Sequence, residues 1–310
     1  MQPNDASARP SDVGFWREIF TLSGSVTPIV FGRVLAFGAI AAGFTLLNEF
    51  FVETHLGMNL GPYEVAGAVL GFLLVFRLNA GYDRWYEGRK LFGQLVNYSR
   101  NLTVTALEHG PEDLAWRQSV ARWIAAFGHV SRASLRREGL PIEARHLLGE
   151  HWSAELTQAP HMPTFVALRI GQLMRQAVTQ MGMDPLGFLE ADRERAWLVE
   201  CEGSLERILS TPVPKAYSIN IRRLLFLYLV FVPFALLDHL REIEWLTPVL
   251  MMLIAYFLLA MDQLGIELER PFDKKSLNHL PLDDLTLRIE TEVMGLLSCA
   301  ETSPARSSNV

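Results

Sequence analysis

The sequence predicts an all-α membrane protein: four transmembrane helices per subunit and a large helical domain inserted between the second and third. Three observations lead there. Apolar stretches at residues 29–52, 62–76, 224–237 and 246–261 are separated by polar chain. Between residues 80 and 215 the apolar side chains recur at helical rather than alternating spacing, and strand signals are nearly absent. Basic residues gather at the same end of each apolar stretch.

Composition agrees. The 310 residues are 50% hydrophobic, yet the mean hydropathy is only +0.17, so the spans are diluted by a sizeable polar portion. A net charge of −6, with no basic stripe interleaved with aromatics, argues against nucleic acid as a partner. Cys201 and Cys299 are the only cysteines. Two so far apart make no disulfide framework and suit a reducing compartment. Residues 1–20 hold Asp5, Asp12 and Glu18 and no apolar core, so they do not read as a cleaved signal peptide.

Residues 1–22 read as a polar N-terminal tail ending in a short surface helix at 15–22, with Trp16 as its interface anchor. Residues 23–79 hold the first two transmembrane helices. The stretch 34–48 is uncharged, and extended to 29–52 it reaches the roughly 20 residues a span needs. Arg33 can then snorkel to the interface. The connection 53–61 is acidic and free of Lys and Arg.

The second span is shorter. Residues 65–76 are uncharged, with Glu64 just outside. That length suits a buried soluble helix as well as a span that lines a water-filled passage. Gly67 and Gly71 stand in the Gly-x-x-x-Gly spacing that lets helices approach closely in lipid. No proline follows Pro62, so the helix is predicted to run on through Arg77, Asp83, Arg84, Glu87, Arg89 and Lys90 to about Arg100. Ala68, Phe72 and Phe76 share one face of it, and Val65, Val69 and Leu73 the neighbouring one. Such a stripe is either core or the wall of a pore.

Residues 80–215 are expected to form a cytoplasmic helical domain. Val120, Ile124, Phe127 and Val130, with Trp123, share a face of one helix running to about Arg137. Phe165, Leu168 and Leu173, with Val166, Ile170 and Ala177, mark another. Gly110-Pro111 and Gly139-Leu140-Pro141 are breakers. Residues 216–265 hold the third and fourth transmembrane helices, with Pro233 and Pro248 inside them. Their brief connection carries Asp238, Glu242 and Glu244 against Arg241 alone. A cytoplasmic C-terminal segment, 266–302, and a disordered tail, 303–310, complete the chain.

Orientation follows from the flanks. Arg17, Arg33, Arg77, Arg84, Arg89, Lys90, Arg222, Arg223, Arg270, Lys274 and Lys275 all fall on one side, which places both termini and the insert in the cytoplasm. The short loops opposite make an acidic external mouth of Glu64, Asp238, Glu242 and Glu244.

Catalytic patterns are missing. There is no Gly-x-Gly-x-x-Gly, no phosphate-binding loop and no His-Glu-x-x-His, so no enzyme is predicted. His146, His151 and His161 lack the tight spacing of zinc ligands and read as surface histidines; no metal or cofactor is expected. Sequons at Asn97 and Asn101 fall on the cytoplasmic side and are dismissed.

Three ordered segments carry a resemblance. The first is Arg77, Asn79, Asp83, Arg84, Trp85, Glu87 and Arg89, with Asn97 and Arg100 beyond. The second is Pro212-Val213-Pro214 after Thr211, with Tyr217 following. The third is Glu269-Arg270-Pro271-Phe272-Asp273. Together they resemble the bestrophin ion-channel family in its bacterial branch, from about residue 23 to 290.

The resemblance implies a homopentamer around a central pore in the bacterial inner membrane. It implies a hydrophobic neck at Ala68, Phe72 and Phe76, and a lower constriction at Val213. Pro212 and Pro214 would hold that backbone out of regular helix, although paired prolines most often mark a plain turn between helices. Small monovalent ions would pass, with chloride the family default and a cation such as sodium possible. Animal bestrophins open on calcium bound by an acidic run after the Pro-Phe motif. Here that run contains Asp273, Lys274 and Lys275, too few carboxylates for calcium. Asp283 and Asp284, further on, read as helix-capping or solvated. No calcium activation is therefore expected. A coupled transporter and a non-conducting membrane scaffold are the alternatives.

Overall fold

The computed structural model describes residues 14, 17, 19–51, 59–240 and 242–302. The remainder of the expected surface helix with Trp16, most of the acidic connection at 53–61, Arg241 and the tail 303–310 lie outside the described residues. The described part is helical and contains no strand. Nine α-helices follow in order: α1 Thr27–Phe51, α2 Gly61–His109, α3 Leu114–Arg136, α4 Ile142–Gln158, α5 Met162–Gln180, α6 Pro185–Ser210, α7 Lys215–His239, α8 Thr247–Leu268 and α9 Leu282–Thr302. A single 3₁₀ turn, Glu244–Leu246, precedes α8.

The chain forms two compact units. Residues up to 82 together with 213–269 make the first, and residues 83–212 with those from 270 onward make the second. Helix α2 runs from one into the other. Its 49 residues correspond to roughly 70 Å at 1.5 Å per residue. After Pro62 nothing in its sequence removes a backbone donor, which is why it does not stop at the end of the apolar stretch.

In the first unit α1, α2, α7 and α8 are long and apolar enough to cross a membrane. Val30, Val34, Leu70, Leu74, Leu225, Leu229, Met251 and Ala255 form their shared core. Small residues set the close approaches. A Cβ at Gly38 would lie 2.5 Å from Cγ of Met252, and one at Gly81 only 3.0 Å from the Gly265 carbonyl. The Gly67/Gly71 spacing is used differently from expectation. Gly67 makes room for the Tyr228 hydroxyl, whereas a Cβ at Gly71 would meet nothing. The tight contact between α2 and α8 sits at Gly81 and Gly265 instead.

The second unit is a helical bundle around α3, whose buried face includes Trp116, Val120, Trp123, Ile124, Phe127 and Val130. The Asp113 carboxylate accepts the Trp116 N–H at 2.7 Å and starts the helix, while Arg137, at φ 55°, ends it. Asp184 starts α6 in the same way, ahead of Pro185. Gly149, at φ 80°, breaks α4 into two pieces. Val166, Ile170 and Ala177 are buried on α5 as expected, but Leu168, placed on that face by its spacing, is exposed. Both sequons lie within α2, where the Ser99 and Thr103 hydroxyls are buried and bonded to carbonyls one turn back.

Asp283 is exposed, as its reading as a cap or a solvated acid expects, but it is also paired. It opens α9, and its carboxylate accepts Arg132 at 3.0 Å and Arg136 at 2.8 Å. The hydrogen bond from Arg136 holds its carboxyl below the ordinary 3.8. A carboxylate with a lowered folded pKa contributes stability that is complete above the unfolded value and is lost as pH falls through the folded one. The unfolding temperature of the purified protein should therefore fall on acidification below about pH 4, and fall less in Asp283→Asn. The side chain is half exposed, so the difference is small. Identical acid profiles for the two proteins would show that the pairing contributes nothing.

Candidate permeation site

The face of interest is set by what α2 buries. Leu70, Leu74, Arg77 and Gly81 turn inward, one or two helical turns apart. Periodicity then leaves Ala68, Phe72 and Phe76 outward, and in the single subunit all three are exposed, Phe72 at 66% and Phe76 at 62%. The neighbouring stripe is also open at Val65, 66% exposed, and Val69, 54%, and only Leu73 is half-buried. Val69 and Leu73 line a groove against Leu224, Leu227 and Phe231 of α7. The outward row continues past the phenylalanines through Asn79, Asp83, Glu87 and Lys90 to Asn97, all exposed.

Arg77 anchors this arrangement. It is 2% exposed, its guanidinium pairs with the Asp262 carboxylate on α8, and its Nε donates to Glu269 at 3.2 Å. Arg222 on α7 reaches the other Asp262 oxygen at 3.3 Å. Two guanidiniums and two carboxylates thus balance. Such a buried pair is costly to desolvate and tolerable only when every charge is answered. Sequence reasoning missed Asp262, because the fourth apolar run ends at Met261 and the acid follows immediately. Its position on a long apolar helix, with arginines on two others, was the available signal.

Other motif residues hold chain ends. Arg84 donates to the carbonyls of Ile208 and Thr211, each at 2.6 Å, and so satisfies the last turn of α6. A cation there also complements the helix dipole. The Trp85 indole donates to the Asn278 carbonyl at 2.7 Å. Pro271 and Phe272 are buried, and Phe272 packs where a Cβ at Gly88 would touch its ring. Arg89 is exposed. Val213 is half-buried between exposed Pro212 and Pro214, in non-helical chain after the α6 cap, and Pro214 then starts α7.

The acidic residues are unequal. Glu64 and Glu242 are exposed and Asp238 half-buried. Glu244 accepts the Asn48 amide at 3.0 Å. Of the three histidines, His151 pairs with Glu155 on an exposed face. His161 is not the ordinary surface histidine its spacing suggested: it lies against Glu202 and Glu206 of α6, partners more than forty residues away. The Asp273 carboxylate accepts the Lys275 N–H at 3.0 Å, closing a local turn.

A family model described as Bacterial/Fungal Bestrophin protein matches residues 6–295. The chain belongs to the bestrophin family. A protein of Nostoc named a voltage-dependent anion channel-forming protein is 33% identical over 288 residues, covering 91% of this chain and 92% of its own. A Synechocystis protein of the same name is 31% identical with the same coverage. The crystal structure of a bacterial bestrophin homologue from Klebsiella pneumoniae aligns with a TM-score of 0.80 at 24% identity, over 87% of this chain and 98% of that one. Helix α2 and its partners are therefore a bestrophin fold.

The buried pair makes a direct prediction for this bestrophin. Asp262→Ala should destabilise it by about 3–5 kcal/mol, because Arg77 loses its main counter-charge. Replacing both, Arg77→Met with Asp262→Leu, should recover most of the loss. Thermal unfolding in detergent reads both, and a single variant that melts like the wild type would contradict the assignment.

Proposed function

We propose that this protein is the subunit of a passive ion channel. Copies of α2 surround a common axis, five of them by analogy with the family, and the insert and both termini face the cytoplasm of a bacterial inner membrane. Ala68, Phe72 and Phe76 form successive rings of the neck, and Val213 forms a second constriction. One observation carries the reading: the α2 row holding two large aromatics is uncovered in the subunit, although the helix buries its opposite face well. On a membrane-spanning helix an exposed aromatic stripe meets lipid, a partner subunit or a lumen; the exposed polar residues that continue this row, Asn79, Asp83 and Glu87, favour the lumen.

Narrow apolar rings select by the cost of dehydrating an ion rather than by charge, and they close by excluding water. A phenylalanine edge is weakly positive, so an edge-on ring favours anions. The Nostoc and Synechocystis relatives carry anion-channel names, which supports small monovalent anions, chloride foremost, as the cargo. The acidic mouth is a weak counter-argument, since Glu244 is already bonded to Asn48. The run from Asp273 to His279 offers calcium few carboxylates, and Asp273 is bonded within its own turn, so opening is independent of calcium.

Reconstitution in protein-free liposomes tests this. Under a chloride salt gradient the reversal potential should approach the chloride equilibrium value, with no response to added calcium. A reversal at the cation value would overturn the cargo, and flux that requires a second, coupled ion would overturn the passive mechanism. Phe72→Ala and Phe76→Ala should each enlarge single-channel conductance; currents unchanged in both would move the neck to another row of α2.

A further inference from the structure

The second unit holds a polar cluster that permeation does not use. Glu202 and Glu206 stand one turn apart on α6, and His161 sits immediately before α5. His161 Nε2 is 2.6 Å from Glu206 Oε1, which also accepts the Ser134 hydroxyl at 3.2 Å. The other ring nitrogen, Nδ1, lies 2.7 Å from the Thr164 hydroxyl and caps α5. The three donor atoms of His161, Glu202 and Glu206 lie within 4.8 Å of one another.

Glu202 is the unusual member. It is 2% exposed, and neither of its carboxyl oxygens has a hydrogen-bond partner among the described residues. It faces a cavity of about 170 Å³ shared with His161, Thr164 and Glu206. An unanswered buried carboxylate is costly. Burial pushes its carboxyl up to about 8, Glu206 adding to the rise and the Ser131 hydroxyl opposing it. Protonation removes the charge, and the O–H can turn to the unpartnered Ser131 hydroxyl, but the second oxygen stays unanswered. A cation in the cavity answers both oxygens.

We propose that His161, Glu202 and Glu206 bind a divalent transition-metal ion of the zinc class. One imidazole nitrogen and two carboxylate oxygens are a three-ligand zinc set, with a water left to complete four-coordination. Calcium and magnesium want more oxygens and no imidazole. Two carboxylates neutralise the ion. Donors on one tetrahedral zinc stand roughly 3.4 Å apart, so a pair at the 4.8 Å limit closes by about 1.4 Å while the 2.6 Å His161–Glu206 pair opens by about 0.8 Å, within reach of side-chain rotation. With Nε2 on the metal the ring proton moves to Nδ1, which gives up the Thr164 N–H cap and donates to the Thr164 hydroxyl instead, the outer contact that fixes ring orientation in histidine-ligated sites. The ion would tie the start of α5 to α6.

The test uses the full-length protein in detergent, stripped with chelator and titrated with zinc chloride by calorimetry and by thermal unfolding. The expected result is one zinc per subunit and a raised unfolding temperature. Glu202→Gln, which keeps the shape and removes the charge, and His161→Asn, which keeps a helix-capping acceptor and removes Nε2, should each weaken zinc binding by at least ~10-fold. Without zinc, Glu202→Gln should melt at or above the wild type. Absence of zinc binding by the stripped wild type, or zinc affinity unchanged in both variants, would overturn the site.

Discussion

Arg77 enters a part of the molecule where a lone guanidinium could not stay. Its neighbours along α2 are Leu70 and Leu74, and the helix against it, α8, is apolar almost throughout. The charge is held because Asp262 and Glu269 come to it from α8 and its end, with Arg222 on α7 sharing Asp262. This network fixes the rotation of α2 about its own axis. Once position 77 is turned inward, the 3.6-residue period turns 72 and 76 outward. The aromatic row is thus a geometric corollary of an ion pair that it does not touch.

The residues that identified the family divide by face. Arg77, Arg84 and Trp85 point into the protein and bond to a carboxylate, to the carbonyls ending α6, and to the Asn278 carbonyl. Asn79, Asp83, Glu87 and Arg89, interleaved with them, are exposed. A single signature in the sequence is therefore two sets of side chains with unlike work. One holds helices together, and the other is presented to whatever lies beyond the subunit.

Apolar length and helical spacing were enough to read four long helices and a helical insert, because those features depend on neighbours within a few turns. The inward faces of α3 and most of α5 were legible for the same reason. Leu168 was not, since its spacing places it at the margin of the apolar stripe and packing alone decides the margin. The pairing of Asp262 with Arg77, of Asp283 with Arg132 and Arg136, and of His161 with Glu202 and Glu206 spans 41 to 185 residues or joins separate helices. Such pairings carry no local period. The Gly67/Gly71 spacing shows the converse: a local pattern with a known use, while the close approach was made by Gly81 and Gly265, which no short motif links.

The uncovered row of α2 is supplied once per subunit. In an assembly of the kind proposed, each ring of the neck takes one side chain from every copy, so its bore belongs to no single chain. Where altered and unaltered subunits mingle, the share of wholly unaltered rings falls as a power of the unaltered fraction, steeper for larger assemblies. Where altered and unaltered genes are expressed together, a change at Phe72 or Phe76 would then mark most assemblies even when the altered protein is the minority. A change at Arg77 that destabilises the subunit would instead lower the number of assemblies and leave the bore of the rest unaltered.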